Sequence, residues 1–325
     1  MSRPLHSTST FSVHKSFAPL ISKYDGFILD QFGVMHNGQN GLDGASECVN
    51  HLSTLGKKLI ILSNTSSPSE TALAKLPKLG FDKDHFLGAV TSGEEASHYI
   101  RMHYGNHDVG KKKRALWFTW PSSTIPSPRN FIDLCGSIEL VDYDIDKSEG
   151  EIDVDFIITH GCGVIQGSTL ESSIGDFMTS GNLDKVKPIL NQCAKKKIPM
   201  VCANPDFIVV RPDGSKGHMP GKIARLYEEL GGQCTYFGKP HIPHFNACLR
   251  DLGLPNNRVA HVGDSLHHDV AGANGAGIDS VFVAGGVHRE ELGTDLGIVP
   301  EEYALKKLFE THGQTPTHVV PMFNL

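Results

Sequence analysis

The sequence predicts an α/β protein, a Rossmann-like doubly wound parallel sheet core with a large inserted α/β module. Three observations predict it. Short apolar runs fit for buried parallel strands alternate with helical segments, and several of these runs end in a polar or charged residue. Between about Glu94 and Met219 the texture changes, and a separate set of strands and helices stands between two stretches of the first pattern. At 325 residues the chain is long enough for two domains, or for one domain with a big insertion.

The first element is the strand Phe27-Ile28-Leu29, which delivers Asp30 to its end before Gly33 lets the backbone turn sharply away. A carboxylate there lies on the edge of an open α/β sheet where ligands collect, although a strand ending in Asp is also ordinary turn chemistry. Leu42 to Leu55 reads as a helix closed by Gly56, and Lys58 to Leu62 as a second buried strand ending in Ser63-Asn64-Thr65. Those hydroxyl and amide side chains precede a helix that opens at Ser67-Pro68. They can present donors to an anion beside the free N–H groups of that helix, or serve as an N-cap. Gly88 to Ser92 looks like a third short strand.

The inserted stretch carries strands at Ala115 to Trp120, Ile138 to Val141, Val154 to Thr159 and Ile198 to Ala203, with helical runs near Leu170 to Met178 and Lys185 to Lys196. Charged connections at Gly105 to Arg114 and Asp142 to Asp153 punctuate it. Asn204-Pro205-Asp206 follows its last strand and precedes a turn at Pro212-Asp213-Gly214, so two polar side chains stand where a lid could face a site. Turn chemistry explains them equally.

The first pattern then resumes with a helix from Gly221 to Leu230, closed by Gly231-Gly232, and a short strand, Thr235 to Phe237, that delivers Gly238-Lys239-Pro240. Most exposed lysines are merely solvated, but one at a sheet's catalytic edge can neutralise a phosphoryl group or hold an anionic aspartate. After a helix from His241 to Leu252, the strand Arg258 to Val262 runs into Gly263-Asp264-Ser265, with Asp269 five residues beyond Asp264. Asp30, Asp264 and Asp269 make an oxygen-rich set that suits Mg²⁺; singly, a Gly-Asp turn and a helix-start acid account for the last two.

Thirty basic against 36 acidic side chains give a net charge of −6, which argues against a nucleic-acid footprint or an anionic membrane surface and for a small solute as partner. The seven cysteines are scattered without a CxxC pair, as expected of reduced thiols rather than structural zinc. No apolar run reaches the roughly 20 residues of a membrane span. The N-terminal stretch holds Arg3, Lys15 and Lys23 with several Ser and Thr and no acid before Asp25. It faintly resembles a mitochondrial transit peptide, but the plainer expectation is a frayed end on a cytoplasmic protein.

Asp30, Ser63, Lys239 and Gly263-Asp264 with Asp269, in that order, resemble the four motifs of the haloacid dehalogenase superfamily. Gly33-Val34 with Gly38, Ala203-Asn204-Pro205-Asp206 and Gly238-Lys239-Pro240 resemble its class IIA, which contains nitrophenyl-phosphatase-like and phosphoglycolate-phosphatase-like enzymes. The resemblance implies a discontinuous catalytic core of residues 1–93 and 220–325 and an inserted cap of residues 94–219. It implies a phosphatase of small phosphorylated metabolites, possible as a homodimer, in which Asp30 is the nucleophile. Mg²⁺ would be held by Asp30, the Phe32 backbone carbonyl and Asp264, with Asp269 orienting its waters or Lys239. Ser63, Asn64, Thr65 and Lys239 would bind phosphate, and Asn204 and Asp206 would lie near the leaving group. The chain departs from the pattern at Phe32, where phosphatases of this superfamily carry a second Asp as general acid and base. His36 is the nearby group that could take over the proton. A phosphometabolite-binding protein without turnover, and a receiver-like domain phosphorylated on Asp30, are the competing readings.

Overall fold

The computed structural model describes residues 11–105, 111–147, 151–211 and 213–325. The basic residue Arg3, the middle parts of both charged connections and Pro212 lie outside them. The chain divides into two compact units, one of residues 1–62, 77–87 and 245–325 and one of residues 63–76 and 88–244. Among the described residues no helix is long and apolar enough to cross a membrane.

In the first unit the strands Ser12–Val13, His318–Val320, Asp279–Val283, Val259–Gly263, Gly26–Leu29 and Lys58–Ser63 lie side by side in that order, all parallel. Phe27, Ile28 and Leu29 are fully buried, as a strand covered on both faces requires. From Gly26–Leu29 the chain proceeds outward to Lys58–Ser63, whereas from the adjacent Val259–Gly263 it proceeds the other way, to Asp279–Val283. The point where the winding reverses therefore falls between the strands that end at Asp30 and Asp264, the place where open α/β sheets bind their ligands. The segment from Phe11 onward is ordered, not frayed: Ser12–Val13 pairs with His318–Val320, and Phe17 is fully buried.

The second unit has its own sheet, with strands in the order Cys234–Tyr236, Met200–Cys202, Phe156–Thr159, Lys113–Thr119, Val164–Gln166 and Glu171–Ser173. Alternate side chains enter two cores. Leu116, Phe118, Ile157 and Met200 face the helices Lys187–Lys195 and Gly221–Glu229, while Ala115, Trp117, Phe156 and Val201 face Ala96, Ile100 and Phe131. The expected strand over Thr235 to Phe237 is present as Cys234–Tyr236, but it pairs with Met200–Cys202 in this second sheet rather than extending the first. A helix near Leu170 to Met178 is not found. Glu171–Ser173 instead forms an antiparallel hairpin with Val164–Gln166, and a short helix, Phe177–Ser180, follows Gly175, whose φ of +89° a continuing helix could not contain. Asp142 fixes that hairpin by accepting the N–H groups of Thr169 and Leu170. Ile208–Val210 and Lys216–His218 pair across the expected turn. All seven cysteines are free thiols, six of them buried and Cys234 partly so.

Candidate active site

In the first unit Asp30, Asp264 and Asp269 come together: one carboxylate oxygen from each lies within 4.8 Å of the other two. The sheet arranges this, because Asp30 N–H donates to Val262 O (2.9 Å) on the strand that leads directly to Asp264. The carboxylates are nearly closed off from solvent, at 7%, 7% and 1% exposure. Two unit negative charges about 4.8 Å apart repel by about 3 kcal/mol at an effective dielectric of 20, so the trio calls for a cation or a proton. A carboxylate-only donor set fits a hard, oxygen-seeking dication such as Mg²⁺.

The Asp264 and Asp269 carboxylates are aimed by groups around them. Asp264 Oδ2 accepts the N–H of Val287 at 2.8 Å, and two glycines press on the same side chain. A Cβ on Gly33, at φ +81°, would stand 2.0 Å from Asp264 Oδ2, and one on Gly286 would stand 2.2 Å from Asp264 Cβ. Asp269 accepts from His261 Nε2 at 2.7 Å and from Ser265 N–H at 3.0 Å, so both its oxygens are directed by the protein. His261 is fully buried in the strand before Asp264. The turn after Asp30 is closed by Gly33 N–H to His36 O and Met35 N–H to Gln31 O. In it the Phe32 ring packs 6.0 Å from the His36 ring, edge to face, and a Cβ on Gly38 would touch it at 2.9 Å. His36 Nδ1 accepts Gly38 N–H at 3.2 Å.

The second unit gathers the expected polar residues into one network. Asn64 Oδ1 accepts Lys239 N–H at 2.7 Å, while Asn64 Nδ2 donates to Asp206 Oδ1 at 2.8 Å and to Lys239 O at 3.3 Å. Asn64 thus holds the Lys239 backbone from both sides, with both its amide hydrogens committed. Asn204 Oδ1 accepts Asp206 N–H at 3.1 Å, the side-chain turn expected of Asn-Pro-Asp. Gly238 has φ +105°, and a Cβ there would lie 2.4 Å from Asn64 Oδ1, so only glycine permits this approach. Its N–H is accepted by His244 Nε2 at 3.0 Å. Burial lowers the His244 pKa to about 4, which keeps that nitrogen an acceptor at neutral pH. Ser63 Oγ accepts Thr65 N–H at 3.3 Å, and Thr65 Oγ1 accepts Ser67 N–H at 3.3 Å. Ser92 Oγ donates to Thr65 O and Ala203 O, tying the two loops together.

The sequence pattern did not single out His261, His244 or the Gly286-Val287 grip on Asp264. The pair Gly285-Gly286, one residue beyond the strand Asp279–Val283, was the one available signal.

Comparison with known proteins agrees with this architecture. The family of haloacid dehalogenase-like hydrolases matches residues 27–118, and a second, HAD-hydrolase-like family matches residues 236–320. The chain is 23% identical to the 4-nitrophenylphosphatase of Schizosaccharomyces pombe, over 91% of this chain and 97% of that one. It is 22% identical to the acid sugar phosphatase of Staphylococcus aureus, over 89% and 97%. In fold it is similar to the crystal structure of a possible sugar phosphatase from Cytophaga hutchinsonii, with a TM-score of 0.69 and 21% identity over 97% of this chain and 99% of that one.

Proposed function

This chain belongs to the haloacid dehalogenase superfamily, and from that membership we propose that it is a Mg²⁺-dependent phosphatase of small phosphorylated metabolites that works through an aspartyl phosphate on Asp30. The observation that carries the proposal is the meeting of Asp30, Asp264 and Asp269 where the winding of the first sheet reverses. The named phosphatases among its relatives support the reaction class.

Asp30 attacks the substrate phosphorus; the P–O bond to the leaving group breaks, and that oxygen departs with the electron pair. Water then attacks the aspartyl phosphate, which releases phosphate and restores the carboxylate. Asp30, the Phe32 carbonyl and Asp264 are the residues that would hold Mg²⁺, which when bound supplies charge neutralisation on the phosphoryl group. Asp269 aims the groups around it, having both its own oxygens fixed. Ser63, Thr65 and Lys239 receive the phosphoryl oxygens. Asn64 contributes by fixing the Lys239 backbone, and its network includes Asn204 and Asp206 of the proposed cap, residues 94–219, which selects the substrate.

Phe32 shapes the kinetics. With no carboxylate at that position, proton transfer to the leaving oxygen and from the attacking water each lose a factor of about 10²–10⁴. The same residue favours a second reading, in which the chain binds phosphometabolites without turning them over. Phosphate release from p-nitrophenyl phosphate, with Mg²⁺ and with EDTA, separates the two. Hydrolysis that needs Mg²⁺ and falls more than about a thousandfold in Asp30→Asn is the expected result. Residual turnover within about tenfold of wild type would remove Asp30 as nucleophile, and no release by wild type would leave the binding reading.

A further inference from the structure

A second group of donors converges elsewhere in the first unit, on two helices that take no part in the aspartate cluster. His288 precedes the short helix Arg289–Leu292, which carries Glu291, and His312 is the last residue of the helix Glu302–His312. His288 Nδ1 lies 3.1 Å from Glu291 Oε2, and His312 Nε2 lies 3.3 Å from both Glu291 oxygens. One donor atom from each residue lies within 4.8 Å of the others, and the two imidazole rings meet edge to face at 4.8 Å. These separations are long for hydrogen bonds to a carboxylate from a charged donor, which close to about 2.7–2.9 Å. They match the spacing of about 3.3 Å between neighbouring donors placed about 2.05 Å from a tetrahedral Zn²⁺.

We propose that His288, Glu291 and His312 form a second metal site, specific for a transition-metal dication of the Zn²⁺ class, with solvent at the fourth position. Two imidazoles and one carboxylate are the donor set such ions prefer, whereas Mg²⁺ seeks oxygen throughout. The side chains of His288, Glu291 and His312 are 11%, 48% and 30% exposed, so the site has one anchored ligand and an open, wet side.

The site reaches the aspartate cluster through the backbone. His288 Nε2 accepts Leu266 N–H at 3.3 Å, two residues beyond Asp264, and the preceding residue, Val287, donates its N–H to Asp264. Once Nδ1 gives its lone pair to a metal, the neutral ring carries its proton on Nε2 and no longer accepts from Leu266. Occupancy of this site therefore frees the Leu266 amide.

The proposal does not depend on the chain being a phosphatase, and its test needs no turnover. Co²⁺ is titrated into the full chain with Mg²⁺ in excess over the aspartate cluster, and visible absorption and calorimetry are recorded. Wild type is expected to take up one Co²⁺ with the intense visible bands of tetrahedral nitrogen and oxygen coordination, to yield it to Zn²⁺, and to show faster hydrogen exchange at Leu266. His312→Ala and Glu291→Gln, both at exposed positions, are expected to weaken that binding by at least about tenfold, and Asp30→Asn to leave it unchanged. Failure of wild type to bind Co²⁺, equal affinity in folded His312→Ala and Glu291→Gln, or thiolate charge-transfer bands marking cysteine ligands would each overturn it.

Discussion

On the proposed mechanism, Phe32 is the residue expected to govern rate. The loss of proton transfer to the leaving group matters least for a stable anion such as nitrophenolate, while the loss in the water step is the same for every substrate. Dephosphorylation should therefore limit turnover, and rapid quenching should trap phosphate on Asp30. Phe32→Asp should speed hydrolysis of alkyl phosphates more than of aryl phosphates. It also removes a ring that packs on His36 and Gly38, at a cost of roughly 1–3 kcal/mol, so thermal melting must accompany the kinetics. Vigorous hydrolysis of a sugar phosphate by wild type, with no trapped phosphoenzyme, would show that another group such as His36 supplies the proton. Most of the candidate residues could be picked out because they stand at a strand end or in the loop that follows, where sequence pattern and chemistry coincide, while Asp269 lies within the helical turn Leu266–Val270. What Asn64 does could not be read, since its partner Lys239 is 175 positions away and only the folded chain shows an amide spanning that backbone. His261 is hidden for a related reason: inside an apolar strand it reads as core, and its link to Asp269 is a tertiary fact.

At the level of elements, the two loops that flank Asp264 are tuned by absent side chains. Gly33→Ala and Gly286→Ala each push a methyl group into the Asp264 carboxylate, and Gly33→Ala also forces a left-handed backbone on a residue that resists it. Both should weaken Mg²⁺ affinity measured by calorimetry by about tenfold or more, and Gly33→Ala should cost roughly 1–3 kcal/mol of stability. Unchanged Mg²⁺ affinity in both would mean that Asp264 is not a ligand. The central strands of the first sheet, Gly26–Leu29, Lys58–Ser63 and Val259–Gly263, could be read in sequence because a strand buried on both faces is a nearly continuous apolar run, whereas Ser12–Val13, Asp279–Val283 and His318–Val320 were not read. The hairpin of Val164–Gln166 and Glu171–Ser173 could not be read, since Leu170, Ile174, Phe177 and Met178 fall at helical spacing and the pairing that overrides it comes from the neighbouring strand Lys113–Thr119. Cys234–Tyr236 misled in another way: three residues do not reveal which sheet will take them, and their register with Met200–Cys202 decides it.

Across the whole molecule, buried neutral imidazoles set the response to acid. Burial lowers the pKa of His160 to about 3 and those of His244 and His318 to about 4, with the Lys23 charge adding to the effect at His318. An unfolded chain binds protons at these residues near pH 6.5 and the folded chain does not, so stability is complete above about pH 6.5 and is lost as the pH falls toward 4. Each contributes up to about 1.4 kcal/mol per pH unit in that window. The urea midpoint should drop clearly between pH 7 and pH 5; a flat profile would mean that these rings carry protons in the folded state. Both units hold such a ring, and both hold buried thiols. Cys48 and Cys248 lie in the first unit, and Cys135, Cys162, Cys193 and Cys202 in the second. A thiol-reactive dye reaches a buried sulfur only when the structure around it opens, so mass spectrometry of dye-labelled peptides gives an opening rate for each unit in one unmodified sample. The native cysteines are in effect paired stopwatches: equal rates would show that the halves come apart together, and unequal rates would show which yields first.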